Sequence, residues 1–237
     1  MSIKYTAALL CALAASAAQA GPEESIKAAV EAALGNGAKV EGVVKTPYMG
    51  LYEVRVGGEI VYTDDKANYL ILGEILDTKT RQNITQQRVN QISAINFAEL
   101  PLDIAIKQVR GNGKRVIATF EDPNCGYCKK LAKELLGMKD VTIYTFLTPV
   151  LGPDSQKKAE AIWCSADRAK TWSDWMTTNV VPAAATASCD TAGLQRSAAL
   201  GEKYRVRGTP TIFLSTGERI PGYVPVAQLE QRIANIK

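Results

Sequence analysis

The sequence of 237 residues contains no histidine. Structural zinc sites usually need four cysteine or histidine ligands, most often arranged as closely spaced pairs. Cys125 and Cys128 form such a pair, but Cys164 and Cys189 are single cysteines with no close neighbour of the same kind. A zinc site built on the first pair would lack the second pair of ligands, so the sequence favours a site without metal.

The sequence also lacks a cluster of basic residues. Its 28 lysines and arginines stand against 24 acidic residues, and the net charge of +4 is not concentrated or interleaved with aromatic residues. Proteins that bind nucleic acid usually show a concentrated basic patch. The composition therefore gives no indication of nucleic acid as a partner.

The apolar run at residues 7–15 is too short to cross a bilayer, which needs about 20 residues. It follows the basic Lys4 and precedes the small-x-small sequence Ala18-Gln19-Ala20, a pattern typical of a cleavable secretory signal peptide. We expect residues 1–20 to be removed together with Cys11. The mature chain would then enter an oxidising compartment, where its remaining cysteines could form disulfides.

Residues 21–82 predict a small β-rich domain. A helix is expected from Pro22, and short β-type runs follow it at residues 39–45, 51–56, 59–63 and 69–77. Gly57-Gly58 predicts a two-residue hairpin turn. Because so small a sheet leaves an edge strand open, we expect either oligomerisation through that edge or its coverage within the monomer.

A linker helix is predicted over residues 83–101. Apolar residues recur at intervals of three to five between residues 84 and 99, and Pro101 ends the pattern. A helix of about 16 residues would be about 24 Å long. It would join the first domain to a second one at residues 102–237.

The second domain carries Cys125-Gly126-Tyr127-Cys128 between a predicted strand and a predicted helix. A helix that begins at Cys125 would place this thiolate at the positive end of the helix dipole, beside unpaired backbone N–H groups. Cys128 would lie one turn deeper, where it could attack a mixed disulfide formed by Cys125. The spacing indicates a dithiol/disulfide couple, which requires no metal or organic cofactor.

The pattern around this motif predicts an α/β domain. The strand at residues 141–147 follows the cysteine helix and predicts a parallel pair with the strand before it. A Gly111-Asn112-Gly113 turn predicts a hairpin between the runs on either side of it. Helices are expected at residues 154–166, 169–176, 191–204 and 225–236, the first two as an insertion between the two halves of the domain.

Two further features of this domain concern its chemistry. Thr209-Pro210 opens a later strand, and an X–Pro bond is the common setting for a cis peptide. In an exported protein, the simplest assignment of Cys164 and Cys189 is a structural disulfide, worth about 3–4 kcal/mol for a loop of about 26 residues. Two free buried cysteines are the alternative.

The order and spacing of several motifs across the mature chain resemble the DsbC family of periplasmic thiol:disulfide isomerases. The matching stretches are residues 120–130 with Cys-Gly-Tyr-Cys, Ala161-Ile162-Trp163-Cys164, Ser188-Cys189-Asp190, Gly208-Thr209-Pro210 and Pro221-Gly222-Tyr223. The resemblance implies an α+β N-terminal dimerisation domain, a linker helix and an α/β thioredoxin-like domain with a helical insertion. It also implies a periplasmic homodimer with chaperone activity, which acts on misfolded disulfide-containing exported proteins and is kept reduced by a membrane thiol reductase of the DsbD type.

The resemblance also implies residue roles. Cys125 would be the attacking thiolate and Cys128 the resolving thiol; Thr209, cis Pro210 and Tyr127 would contact substrate, and Cys164–Cys189 would be the structural bond. Two residues depart from the family pattern. Lys129 stands where histidine is frequent, and its charge should favour the thiolate form. Thr119 stands six residues before Cys125, where many thioredoxin-like proteins carry a buried acid, so Cys128 would need another proton route, for which Glu121 and Asp122 lie nearby in the sequence.

Other activities remain open on the sequence alone. The same Cys-x-x-Cys motif serves enzymes that donate disulfides to proteins and enzymes that reduce oxidised single cysteines. The chain could also be a dimeric holdase chaperone whose thiols are secondary, a redox sensor or a structural module. The two-domain layout of the resembling family favours the isomerase.

Overall fold

The computed structural model describes residues 21–234 and 236. The chain divides between Gly73 and Glu74 into two compact units, and the domain limits predicted at residues 82 and 101 stay predictions. Within the described residues, every helix is too short or too polar to cross a bilayer.

The first unit packs one helix against an antiparallel sheet of four strands in sequence order. Proline at its first position and acidic residues in its first turn favour the start of this helix. Ile26 and Val30 of the helix pack on Val40, Tyr52 and Val54 of the sheet. The elements are α1 (Pro22–Leu34), β1 (Val40–Lys45), β2 (Tyr52–Val56), β3 (Glu59–Thr63) and β4 (Leu70–Ile71).

The predicted hairpin between β2 and β3 is confirmed, with Gly57 and Gly58 at φ values of 60° and 81°. The strand predicted over residues 69–77 was wrong in length, since only Leu70–Ile71 pairs with β3. Beyond Gly73 the backbone bonds to another segment: the N–H of Ile75 donates to the Thr85 hydroxyl at 2.9 Å.

The second unit is built on a five-stranded mixed sheet with the order β5-β7-β6-β8-β9. The predicted parallel pair β6–β7 and the predicted helical insertion between β7 and β8 are both confirmed. The elements are α2 (Ile84–Ile92), β5 (Ile106–Arg110), β6 (Arg115–Glu121), α3 (Gly126–Leu135), β7 (Val141–Leu147), α4 (Pro153–Trp163), α5 (Arg168–Thr178), α6 (Ala192–Lys203), β8 (Thr211–Leu214), β9 (Arg219–Pro221) and α7 (Val226–Ala234).

Helices cover both faces of this sheet. On one face, Ile117 and Ile143 pack against Leu131 of α3 and Leu229 of α7. On the other face, Phe120 stacks on Phe146 with ring centroids 4.9 Å apart and meets Phe213 edge to face. Alternate residues of β6 therefore belong to different layers of the core.

The predicted hairpin around the Gly111-Asn112-Gly113 turn is wrong, because β7 lies between β5 and β6. The turn wraps around the start of β7: the N–H of Asn112 donates to the Asp140 carboxylate at 2.9 Å, and the Thr142 hydroxyl donates to the Gly113 carbonyl at 2.8 Å. These bonds hold the turn across the start of β7, so β5 and β6, which the turn connects, lie on opposite sides of that strand.

The linker helix predicted over residues 84–99 is shorter than expected. α2 ends at Ile92, and a separate short 3-10 turn at Phe97–Glu99 begins with Asn96 as its cap. Between them the N–H of Ile95 donates to the carbonyl of Gly217 at 3.0 Å. A helix continued through Ile95 would use this N–H internally, so a contact distant in sequence ends the helix.

Candidate functional site

Cys125 is the N-cap of α3 and follows the end of β6 by a three-residue turn. Its backbone N–H donates to the Asp122 carbonyl at 3.1 Å, and its sulfur accepts from the N–H of Cys128 at 3.4 Å. Because that N–H belongs to the first helical turn, it has no partner inside the helix. The sulfur therefore lies at the positive end of the α3 dipole.

The second thiol, Cys128, lies one turn into α3 with no exposed surface, whereas Cys125 keeps 8% of its surface exposed. Burial raises the pKa of the Cys128 thiol well above its ordinary value, and the nearby charge of Glu121 raises it further. The two thiols therefore differ in kind. The outer one can meet a substrate, and the inner one is held protonated behind it.

Thr209 and Pro210 lie beside the outer thiol, although 84 residues separate Thr209 from Cys125. The Thr209–Pro210 bond is cis, and the Cys125 sulfur donates to the Thr209 carbonyl at 3.3 Å. Pro210 is buried and leads directly into β8, which pairs with β6. The sheet thus brings together two motifs that are far apart in the sequence.

Tyr127, the third candidate contact for substrate, is 65% exposed. Its ring stacks on Tyr223 at 6.0 Å between centroids, and the Lys130 ammonium lies 4.3 Å from the Tyr223 ring. The Tyr223 hydroxyl donates to Glu134 of α3. This stack holds an aromatic surface beside the two thiols.

Asp122, which the sequence offers only as a nearby acid for a proton route to Cys128, has a structural role that the sequence does not indicate. Its buried carboxylate accepts four hydrogen bonds, from the N–H groups of Asn124, Val150 and Leu151 and from the Ser155 hydroxyl, at 2.7 to 2.9 Å. It therefore ties the turn before Cys125 to the segment that follows β7. The Asp-Pro-Asn sequence after a strand signals such a turn, because aspartate readily accepts from the N–H two residues on.

Lys129 was expected to act on the thiolates through its charge. Its ammonium lies 3.8 Å from the Trp175 ring and donates to the Asn179 side chain at 2.6 Å. Trp175 in turn donates its indole N–H to the Pro123 carbonyl at 2.6 Å. These contacts connect α3, α5 and the turn before Cys125.

Cys164 and Cys189 form a disulfide with their Cα atoms 5.9 Å apart. The bond joins the end of α4 to the segment before α6, and the Trp163 indole donates to the Asp190 carbonyl at 2.9 Å beside it. The pair therefore closes the helical insertion. Nowhere in the described part of the chain do three or more potential metal ligands cluster.

Glu121, the last residue of β6, is buried, and burial raises its pKa from an ordinary 4.5 to about 7. Below about pH 4.5 the Glu121 carboxyl group is neutral in both the folded and the unfolded chain. Between about pH 4.5 and about pH 7 it ionises only in the unfolded chain, so the free energy of unfolding falls by about 3 kcal/mol as the pH rises. Glu121→Gln should therefore gain stability relative to the wild type between about pH 5 and about pH 8. Urea unfolding at both pH values measures this, and a stability difference that does not change with pH would contradict it.

Together, the thiol pair at a helix start, the cis proline beside it and the parallel strand–helix–strand unit define a thiol:disulfide interchange protein. The two thiols supply the redox couple, and the sheet positions the proline segment next to the more exposed one.

Comparison with known proteins places the chain within this class. A family model described as a thioredoxin-like domain matches residues 102–237, and one described as the N-terminal domain of disulfide bond isomerase proteins matches residues 14–86. The chain belongs to the DsbC family and therefore has the expected thioredoxin-like domain behind an N-terminal domain of that family.

The similarity extends over most of the chain. The "Probable thiol:disulfide interchange protein DsbC" of Bordetella parapertussis is 48% identical over 197 residues, which are 83% of this chain and 69% of the relative. Thiol:disulfide interchange protein DsbC of Escherichia coli K12 is 29% identical over 221 residues, or 91% and 90% of the two chains. The crystal structure of a disulfide interchange protein from Neisseria gonorrhoeae matches with a TM-score of 0.54 and 44% identity, over 57% of this chain and 96% of that one.

Proposed function

We propose that the chain is an exported protein disulfide isomerase that reshuffles wrong disulfides with a reduced Cys125–Cys128 pair. The observation that carries the proposal is the unequal placement of the two thiols at the start of α3. An isomerase needs an accessible nucleophile that can also leave, and a protected thiol that ends stalled reactions. Cys125, which keeps 8% of its surface exposed, lies in front of Cys128, which has none, and this arrangement meets both requirements.

The proposed cycle begins when the Cys125 thiolate attacks one sulfur of a wrong substrate disulfide. The substrate S–S bond breaks, a Cys125–substrate disulfide forms, and the electron pair leaves on the freed substrate thiolate. That thiolate attacks another substrate disulfide, and a later substrate thiolate displaces Cys125, so substrate and enzyme end with no net oxidation. The helix dipole and the Cys128 N–H stabilise Cys125 both as nucleophile and as leaving group.

Substrate would bind around Cys125 through backbone and apolar contacts. We assign the backbone contact to the Thr209–Pro210 segment, beside the sulfur, and an aromatic contact to Tyr127. Two further segments near the site expose apolar side chains. One is bonded to Asp122 through its backbone, and the other follows Asn179, which is bonded to Lys129. Their apolar side chains are 57 to 72% exposed: Val150, Leu151, Val180 and Val181. Such a surface suits unfolded segments that expose apolar residues.

We further propose a periplasmic homodimer that uses its first unit for dimerisation. The match of residues 14–86 to the N-terminal domain of disulfide bond isomerase proteins supports this assignment. So do the short outer strand β4 and the exposed side chains of Met49, Tyr69 and Leu72, which are 76 to 80% exposed. The predicted signal peptide at residues 1–20 lies outside the described residues.

The proposed partners follow from the chemistry. The substrates are misfolded, disulfide-containing exported proteins, and the chain must be kept reduced for Cys125 to attack them. A membrane thiol reductase of the DsbD type would supply the electrons. Its absence should convert the Cys125–Cys128 pair to the disulfide.

The test is the recovery of enzymatic activity from a scrambled multi-disulfide protein mixed with the reduced mature chain. We expect recovery at catalytic amounts of the chain, because each turnover returns Cys125 to the thiolate. The activity of the refolded protein is the measurement, and the chain pre-oxidised to its Cys125–Cys128 disulfide is the control. No recovery with the reduced chain would overturn the isomerase.

The exposed apolar side chains beside the site also favour a holdase chaperone as the second candidate. In that case, a chain without Cys125 would still suppress the aggregation of an unfolded protein that contains no cysteine. Suppression of aggregation without recovery of scrambled protein would make the holdase the main function. Rapid oxidation of a reduced substrate by the oxidised chain would instead indicate a disulfide donor.

A further inference from the structure

The carboxyl group of Glu121 is unusual because it is almost unpartnered in the interior. The residue is 1% exposed, and its Oε2 atom has no hydrogen-bond partner within the described structure. Thr119, two residues earlier on the same strand, supplies one hydrogen bond to the carboxylate. A buried polar atom left without a protein partner destabilises a fold unless water or a catalytic role compensates for it.

The direction of the Glu121 side chain follows from the sheet. Alternation along β6 places it on the same face as Thr119, whose hydroxyl bonds to that of Thr145 at 3.1 Å. α3 and α5 cover this face. The sulfur of Cys128 has a hydrogen bond with the backbone of Asp122, the residue directly after Glu121, and the charge of Glu121 acts on the thiol. The thiol and the carboxyl group are therefore neighbours.

A small pocket extends from Glu121 towards solvent. It has room for about one water molecule, and its lining comes from the sheet and from α3 and α5. Half-buried polar residues line it together with Glu121 and Thr145: Gln108, Arg110, Ser173 and Thr177. A water molecule there would have the polar partners that it needs.

The charged and titratable groups that face the carboxyl group are few. α3 contributes Cys128. Arg110 of β5 lines the pocket but donates to the Leu136 carbonyl at 3.5 Å, and the α5 residues that line the pocket are Trp172, Ser173 and Thr177. Asp122 is adjacent in sequence but directs its carboxylate to Val150, Leu151 and Ser155.

We propose that Glu121 is the proton relay of Cys128, taking up the thiol proton when Cys128 attacks the Cys125 mixed disulfide and passing it through the pocket to solvent. The inference rests on the proposed roles of the two cysteines. Position 119, six residues before Cys125, is where many thioredoxin-like proteins carry a buried acid, and it holds threonine here. The acid instead lies two residues later, on the same face of the same strand.

The Cys128 S–H bond breaks and its proton goes to the Glu121 carboxylate. The Cys128 thiolate attacks the Cys125 sulfur, the Cys125–Cys128 bond forms, the Cys125–substrate bond breaks, and the electron pair leaves on the substrate thiolate. The enzyme dithiol is oxidised by two electrons, and the substrate disulfide is reduced by the same two.

Two pKa directions support this assignment. Burial raises the pKa of Cys128, so the thiol cannot ionise unaided near neutral pH. Burial also raises the pKa of Glu121 to about 7, and a proton acceptor works best when its pKa lies near the working pH. The same low-polarity surroundings therefore make Cys128 depend on a proton acceptor and bring the pKa of Glu121 into the range in which it can be that acceptor.

The test uses the reduced mature chain and the aromatic disulfide dithiobis-nitrobenzoate, which releases a coloured thiol, in a stopped-flow instrument. The first release reports the attack by Cys125, and the second reports the attack by Cys128 on the resulting mixed disulfide. Glu121→Gln should slow the second release about tenfold or more near neutral pH, within the usual range for a lost acid–base group, and leave the first unchanged. In the wild type the second rate should rise with pH around about 7; the variant should lack this inflection.

Glu121→Asp and Glu160→Gln complete the design. Aspartate keeps a carboxylate and should restore an inflection, whereas Glu160 lies on α4, bonded to Gln156, and its replacement should leave both releases unchanged. A second release that Glu121→Gln leaves unaltered in rate and pH profile would overturn the relay, and so would equal slowing of both releases, which indicates a structural role. If the glutamine variant does not fold, Glu121→Asp decides: the shorter carboxylate should slow the second release while keeping an inflection, and a second release without any inflection, or one as fast as in the wild type, overturns the relay.

A wild-type chain that shows no second release at all gives a different result. It would overturn the resolving role of Cys128, and the relay with it. Failure of the relay alone leaves a normal second release, so the two failures are distinguishable.

Discussion

Replacing Cys125 by alanine is expected to abolish the recovery of a scrambled protein, whereas replacing Cys128 should leave part of it. Cys125 is the thiol with exposed surface at the α3 N-terminus, and no other free thiol lies among the described residues except the buried Cys128. Loss of the only accessible nucleophile should lower the rate by roughly a hundredfold or more. Recovered enzymatic activity of the scrambled substrate is the measurement.

The Cys128→Ala variant tests the proposed role of the inner thiol. Without the inner thiol, stalled complexes have no escape, so Cys125–substrate disulfides should accumulate and be visible on non-reducing gels. The Cys164–Cys189 disulfide is untouched by either change and serves as an internal check on folding. Equal activity in Cys125→Ala and the wild type would contradict Cys125 as the nucleophile. If both variants are inactive and no Cys125–substrate disulfide accumulates, Cys128 is not the thiol that resolves stalled complexes.

Features set by neighbouring residues were predictable from the sequence. A thiol at the start of a helix requires only a strand, a turn and a helix in order, and residues 116–135 carry that pattern locally. Likewise Gly57-Gly58 alone provides the positive φ values of the hairpin turn. In both cases the backbone conformation follows from side chains within a few residues.

Features set by distant contacts were not predictable. The turn at Gly111-Asn112-Gly113 looks like a hairpin turn, yet its bonds to Asp140 and Thr142 admit β7 between the flanking strands. The predicted linker helix fails for a similar reason, since Ile95 bonds to Gly217. The partners in these cases lie about 30 to about 120 residues away, where a periodic pattern gives no information.

Glu121 and Asp122 show that distant contacts also decide the directions of two neighbouring side chains. Glu121 is the last residue of β6 and points between the sheet and α3, whereas Asp122 begins the turn and points to Val150 and Leu151. Their directions depend on where the strand ends, and that end depends on pairing with β7. Sequence alone offers both acids as candidates and cannot assign their different tasks.

The Asp122→Ala variant is expected to lose about 4 kcal/mol in the free energy of unfolding. The change leaves three backbone N–H groups and the Ser155 hydroxyl without their acceptor, and each such group costs about 1–3 kcal/mol if it stays buried. The upper part of that range is not reached, because the part-buried N–H groups can gain water. Urea unfolding measures the loss through tryptophan fluorescence, since all three tryptophans, Trp163, Trp172 and Trp175, lie in the second unit.

Asp154→Ala is the matched control for this loss. Its carboxylate is 69% exposed, bonds to the Asn124 side chain in the same turn and pairs with Lys158, so its removal should leave the free energy of unfolding close to that of the wild type. Equal stabilities of the two variants would show that burial of the Asp122 network does not matter. The expected difference has a functional counterpart, because the Asp122 network fixes the turn from which Cys125 emerges. The attack by Cys125 on an aromatic disulfide should therefore slow in Asp122→Ala, even where the variant is fully folded, and stay unchanged in Asp154→Ala.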